Sequence, residues 1–126
     1  MILKGIKSSI ELNVVAEVLT DNGRTLKVPF LVTYRKPSVS EARDMMSREP
    51  LPQDNPREYT QLRTRFQQEV LRDNVLNWRE VPTETGEPFE FSAENLNEML
   101  DATEYLAALW SGFLTVVTGK GALTKN

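Results

Sequence analysis

Residues Val75 to Trp110 read VLNWREVPTETGEPFEFSAENLNEMLDATEYLAALW, and the punctuation of this stretch decides how the chain folds. Trp78 closes one helical pattern, because Tyr59, Leu62, Phe66, Val70 and Leu71 form a stripe that Val75 extends toward it. Pro82 and Gly86 then force a turn, and Pro88-Phe89-Glu90-Phe91 runs extended, with two phenylalanines flanking a glutamate. Ser92 starts the next helix. Phe91 precedes that cap and Leu96 holds the fourth helical position, the arrangement of a hydrophobic staple. Leu96, Met99 and Leu100 make a stripe that breaks near Asp101 to Thr103, where Asp101 or Thr103 recaps the chain. Trp78, Phe89, Phe91 and Leu96 are expected in the core.

The helix that follows, from about Glu104 to Thr118, carries Tyr105, Leu106, Leu109, Trp110, Phe113, Leu114, Val116 and Val117 around nearly its whole circumference. A helix apolar on every side is buried on every side, within its own domain or partly by another protein. Gly112 in mid-helix lowers helix propensity and permits close approach of another backbone. Gly119 stops the helix, and residues 119–126 read as a flexible tail.

Upstream the period changes to two. Ile10, Leu12, Val14, Ala16 and Val18 alternate with mostly polar residues, as do Leu26, Val28, Phe30, Val32 and Tyr34 beyond Asp21-Asn22-Gly23. A two-residue Asn22-Gly23 loop would oppose Val18 to Lys27 and mix the two faces of the sheet. A three-residue loop with Gly23 left-handed instead pairs Val18 with Leu26, Val14 with Phe30 and Glu17 with Lys27. Pro29 has no N–H to donate, so its side of the second strand is expected at a sheet edge unless a bulge intervenes. Two strands alone are marginal in water, so helices of this chain or a partner chain must cover the apolar face. Between hairpin and anchor stretch, Ser38 and Glu41 form a capping box for a short helix reaching about Arg48. Asn55 then caps a long helix with Pro56 at its first position. Arg57, Arg63, Arg65, Gln67, Gln68 and Arg72 lie off its apolar stripe, interleaved with acidic residues, as on a solvated face.

The fold class is therefore α+β: an N-terminal antiparallel β-hairpin (1–36), then about four helices (37–118), packed as one small domain. At 126 residues, with 40% apolar and 26% charged content, one core is enough. The net charge of -3 argues against a nucleic-acid binder as the default. The sequence has neither cysteine nor histidine, which removes the usual zinc sites and the common nucleophilic systems. Gly119-Lys120-Gly121 lacks the earlier glycine and the strand and helix context of a phosphate loop. No catalytic, metal or cofactor site is expected, so the chain is read as a non-enzyme that works through surfaces. No signal peptide or membrane span is legible either, which points to a cytoplasmic protein.

The run Trp78-x-x-Val81, a Pro/Gly loop, Gly86-Glu87-Pro88-Phe89-x-Phe91-Ser92-x-Glu94-Asn95-Leu96 and the Leu/Trp-rich helix ending near Phe113 resembles the tail assembly chaperones of long-tailed bacteriophages and prophages. The resemblance covers roughly the last 50 residues, with the overall size and the β-then-α order. Pro82-Thr83-Glu84 departs from relatives that place acidic residues directly after the Trp and Val, and the hairpin half carries no matching motif. What the resemblance implies is a cytoplasmic virion assembly factor in the bacterial host. It would keep the helical tape-measure protein soluble and help recruit tail-tube subunits. In many such phages a frameshift near the end of the gene adds a C-terminal extension, and GGA AAG codons at Gly119-Lys120, after a codon ending in G, would provide the slippery site. Chaperoning a long amphipathic helix requires apolar surface that repacks. The candidate partner contacts are Leu106, Leu109, Trp110, Phe113 and Val117, with Met45, Met46 and Met99. Self-association is compatible with such surfaces. The alternatives are a structural tail or connector protein, whose hairpin edge pairs with neighbours, and a small regulator that binds nucleic acid through the Arg57 to Arg72 face.

Overall fold

The alternation of the N-terminal third folds as its period dictates. In the computed structural model, which describes residues 3–119, β1 (Ser9–Leu19) and β2 (Thr25–Arg35) form an antiparallel hairpin. Its register is the one the three-residue loop requires: Val18 faces Leu26, Ala16 faces Val28, Val14 faces Phe30 and Glu17 faces Lys27. Gly23 adopts the left-handed conformation at φ 80°, and Thr20 N–H closes the loop on the Arg24 carbonyl at 2.7 Å.

After the hairpin, α1 (Val39–Met46) begins at the expected capping box. The Ser38 hydroxyl accepts from Glu41 N–H at 3.1 Å, and the Glu41 carboxylate accepts from Ser38 N–H at 2.9 Å. The next helix, α2 (Pro56–Asn74), starts where Asn55 Oδ1 accepts from the Arg57 and Glu58 amides.

The sheet gains a strand that the periodicity assigned to this helix. The helix stops at Asn74, and Val75–Arg79 forms β3, antiparallel to β2, giving the order β1-β2-β3. Thr33 faces Asn77 and Tyr34 faces Val75, so Leu76 is an extra residue in a bulge. That extra residue explains why the stretch looks helical. In a regular strand, residues three apart face opposite ways; across the bulge, Val75 and Trp78 both reach the core. In the same register two more pairs would set Val81 against Pro29. The strand instead ends before Glu80, whose backbone turns left-handed at φ 61°. Pro29 thus lies where the second side of β2 is unpaired, as its missing N–H requires.

Ser92 caps α3 (Ala93–Leu100) through the Asn95 amide, and α4 (Thr103–Thr118) follows after a two-residue break. Neither Asp101 nor Thr103 recaps the chain: the N-cap is Ala102, with no side-chain bond, and its carbonyl accepts from Tyr105 and Leu106. Gly119 ends α4 in the left-handed conformation at φ 71°. The rest of the expected tail, with Lys120 and Gly121, lies outside the described residues.

The architecture is α+β, a three-stranded antiparallel sheet with four helices among the described residues. α4 packs chiefly on β1, while α2 touches α4, α3 and β3. The core between them contains Phe30, Val32, Tyr34, Leu71, Trp78, Leu100, Leu109 and Phe113. On the opposite face of the sheet, Arg79 grips both carboxylate oxygens of Glu11 at 2.8 and 2.9 Å, tying β3 to β1 across the central strand. No helix of the described residues is long and apolar enough to cross a membrane.

Candidate functional site

The segment between β3 and α3 is built as a clasp. The Trp78 ring stacks on Phe89 with centroids 5.6 Å apart and 7° between planes, and meets Phe91 edge-on at 5.0 Å. Its indole Nε1–H donates to the Phe89 carbonyl at 2.7 Å, so ring and backbone are fixed together. The turn below is held by Thr83, whose hydroxyl donates to the Glu87 carbonyl at 2.8 Å and accepts from Gly86 N–H. Asn95 fastens the far end, its side-chain amide donating to the Glu90 carbonyl at 2.7 Å.

The clasp and the junction of α3 with α4 enclose a groove of about 240 Å³, lined by Val81, Pro82, Phe89, Met99, Ala102 and Tyr105, with Thr83 and Glu98 also on its wall. Its lining is mainly apolar. Burial, followed by the nearby Glu104 carboxylate, raises the Tyr105 hydroxyl above the ordinary phenol range, and Glu98 is the one carboxylate on the wall. Two other grooves are more charged. One of about 260 Å³ between α1 and α2 mixes Met45, Leu62, Phe66 and Val70 with Arg48, Arg65, Glu69 and Asp73. Another of about 360 Å³ lies against Arg79, Glu80 and Glu90. The groove beside Tyr105 is the one suited to an apolar side chain offered by another protein. Among the described residues no group of three or more acidic side chains is placed to hold a metal ion.

The side chains expected at a partner surface are mostly elsewhere. Leu109 and Phe113 are 0% exposed, Leu106 and Trp110 8%, and Met99 4%. Trp110 meets Phe66 edge-on at 5.7 Å and Phe113 at 5.8 Å, and Phe113 lies 6.4 Å from the Tyr34 ring. The apolar excess of α4 is therefore enclosed by the chain itself. β1 covers one side of α4, and α2 with α3 covers the side away from it. Val117, Met45 and Met46 are half-buried at the margin of the core, and Met99 alone of the eight lines the groove beside Tyr105. Val81, Pro82, Ala102 and Tyr105 join it there. Their sequence signal is weak, since a turn proline and a helix tyrosine are common as structural residues.

The arginines of α2, Arg57, Arg63, Arg65 and Arg72, are exposed, as on a solvated face, but the two glutamines are not. Gln67 is buried, Gln68 donates to the Leu100 carbonyl at 3.0 Å, and Arg72 donates to Asn97 at 2.7 Å.

No family model matches the chain, and no curated protein or solved structure does either.

Proposed function

We propose that the chain is a non-enzymatic assembly factor of a long phage tail, which binds and solubilises the tape-measure protein and helps recruit tail-tube subunits. The observation that carries this reading is the clasp. Residues quoted for the resemblance, Trp78, Phe89, Phe91, Ser92 and Asn95, are separated by a turn in sequence yet close into one bonded unit. Phe89 of that unit, with Val81 and Pro82 of the turn it holds, lines the apolar groove at Tyr105. An amphipathic helix offers side chains at the spacing of one turn, and a shallow apolar groove accepts one or two of them with little demand on sequence. Such tolerance suits a chaperone that meets many segments of a long helical partner.

A structural tail or connector role is the second reading. The observation in its favour is β1, an edge strand of 11 residues.

Co-expression with a phage tape-measure protein tests the first reading. The partner is expected in the soluble fraction with the wild-type chain and in the pellet with Pro82→Arg, which sets a charge at the mouth of the groove. A partner equally insoluble with and without the wild-type chain defeats the proposal.

A further inference from the structure

We propose that β1 pairs antiparallel with β1 of a second copy about a two-fold axis at Val15, joining two three-stranded sheets into one of six strands. The starting point is a long open edge. Natural sheets blunt their edges with charged side chains, lysine above all, a proline, a bulge, a short strand or a covering segment. The β3 edge follows this rule, being five residues long, bulged and stopped at Glu80. The β1 edge has only the charges of Glu11 and Glu17. It runs 11 residues without lysine, proline or glycine and pairs with β2 without a bulge. Among the described residues no hydrogen bond reaches the β1 backbone from its open side.

The direction of the free groups is fixed by the ladder. Thr20 N–H donates to Arg24 at 2.7 Å and Lys36 N–H to Ser8 at 2.9 Å, so the even-numbered residues of β1 bond to β2. The odd-numbered ones, with Val15 opposite Pro29 at the centre, point their N–H and C=O groups outward. Val15 itself is 42% exposed.

Charge then selects the axis. Pairing centred on Val14 opposes Glu11 to Glu17 of the second copy, and centring on either glutamate opposes it to itself; like charges directly across a pair are destabilising. Centring on Val15 avoids all of these. Val15 faces Val15, Asn13 faces Glu17, and half-buried Leu12 faces half-buried Val18, covering apolar surface that β2 and α4 leave open. Centring on Asn13 also separates the charges but leaves Val18 against Ser8. α4 lies under β1, and its side away from Trp110 carries Glu104, Ser111 and Thr115, with Ala108 of the same stripe already buried. A two-fold pairing uses each edge once, so assembly closes at two copies and no filament forms.

Light scattering or sedimentation of the purified chain decides the matter. The wild type is expected at twice the chain mass of 14.4 kDa. Val15→Lys and Val15→Glu place like charges across the axis and are expected to be folded monomers by circular dichroism and mass at the same concentration. Mixing the two variants is expected to restore the dimer, because opposite charges then meet. A wild-type chain that stays monomeric up to its solubility limit or grows into open polymers overturns the proposal. So does a Val15→Lys chain that remains dimeric, or a mixture that stays monomeric. The proposal is independent of the chaperone reading, and its failure leaves the solubility test standing.

Discussion

The Tyr34 hydroxyl donates to the Leu109 carbonyl at 2.8 Å, a buried bond between the central strand and the middle of α4, 75 positions apart in sequence. It is possible because position 112 has no side chain: a Cβ there would lie 2.9 Å from both Tyr34 Cζ and Val14 Cγ1. The tyrosine and the glycine are one device, a long side chain laid across a gap in the helix surface.

Gly112→Ala is therefore expected to destabilise the protein although alanine favours helix. The propensity gain is about 1 kcal/mol, against an overpacking cost of about 1–3 kcal/mol. Combining it with Tyr34→Phe removes the most crowded atom, so the double variant should be more stable than the sum of the two losses. Urea unfolding of all four chains measures this coupling.

Tyr34→Phe alone loses one buried hydrogen bond, a cost of about 0.5–1.5 kcal/mol. It also changes the alkaline limb. Burial holds the Tyr34 hydroxyl well above the ordinary phenol range, so the unfolded chain releases this proton first. Stability is complete below the unfolded value of about 10 and falls as pH rises beyond it. The phenylalanine variant should show a shallower loss above that pH when unfolding is followed by circular dichroism.

Trp78→Phe keeps an aromatic ring against Phe89 and Phe91 but removes the N–H that satisfies the Phe89 carbonyl. The unpaired carbonyl and the lost volume should together cost about 2–4 kcal/mol. Fluorescence of the remaining Trp110 follows the transition. The loss should shrink sharply if Phe89 and Phe91 are already alanine, because the clasp they share is then open.

Acid should loosen two places before the core. The hydrogen bonds from Arg79 hold the Glu11 carboxyl below its ordinary range, and the Ser38 amide, then Arg35, does the same for Glu41. Lowered values mean that the stabilisation is complete at neutral pH and is lost as pH falls through them, beneath the usual carboxylate value of about 4. Chemical shifts of the two carboxyl groups should titrate below that value. Glu11→Gln should remove the acid sensitivity of the β1 to β3 link.

Much of this fold was legible in the sequence because the signals were local. The alternation and the Gly23 turn suffice for the hairpin register, and Ser38, Asn55 and Ser92 mark the three helix starts where the chain uses them. β3 was not legible, because the bulge gives Val75 and Trp78 a helix-like spacing and its partner lies more than 40 positions upstream. The candidate site was hidden for the same reason. Periodicity does not show that Phe66 of α2 and Tyr34 of β2 meet α4, so Trp110 and Phe113 read as partner contacts. The fold covers them, and the remaining apolar groove gathers turn and junction residues such as Pro82 and Ala102, which no periodicity connects.

The halt of β3 opposite Leu31 divides the central strand into two regimes. From Leu31 to Tyr34 it is bonded on both sides; from Thr25 to Phe30 it has β1 alone, and Leu19 and Leu26 at the tip stand 67% and 55% exposed. Fraying the tip from Thr25 to Lys27 leaves the core intact, whereas opening the strand from Val28 onward exposes buried side chains, Phe30 among them. One strand thus spans the range from local fluctuation to global unfolding, and amide exchange along β2 would read as a gradient whose step falls at the proline.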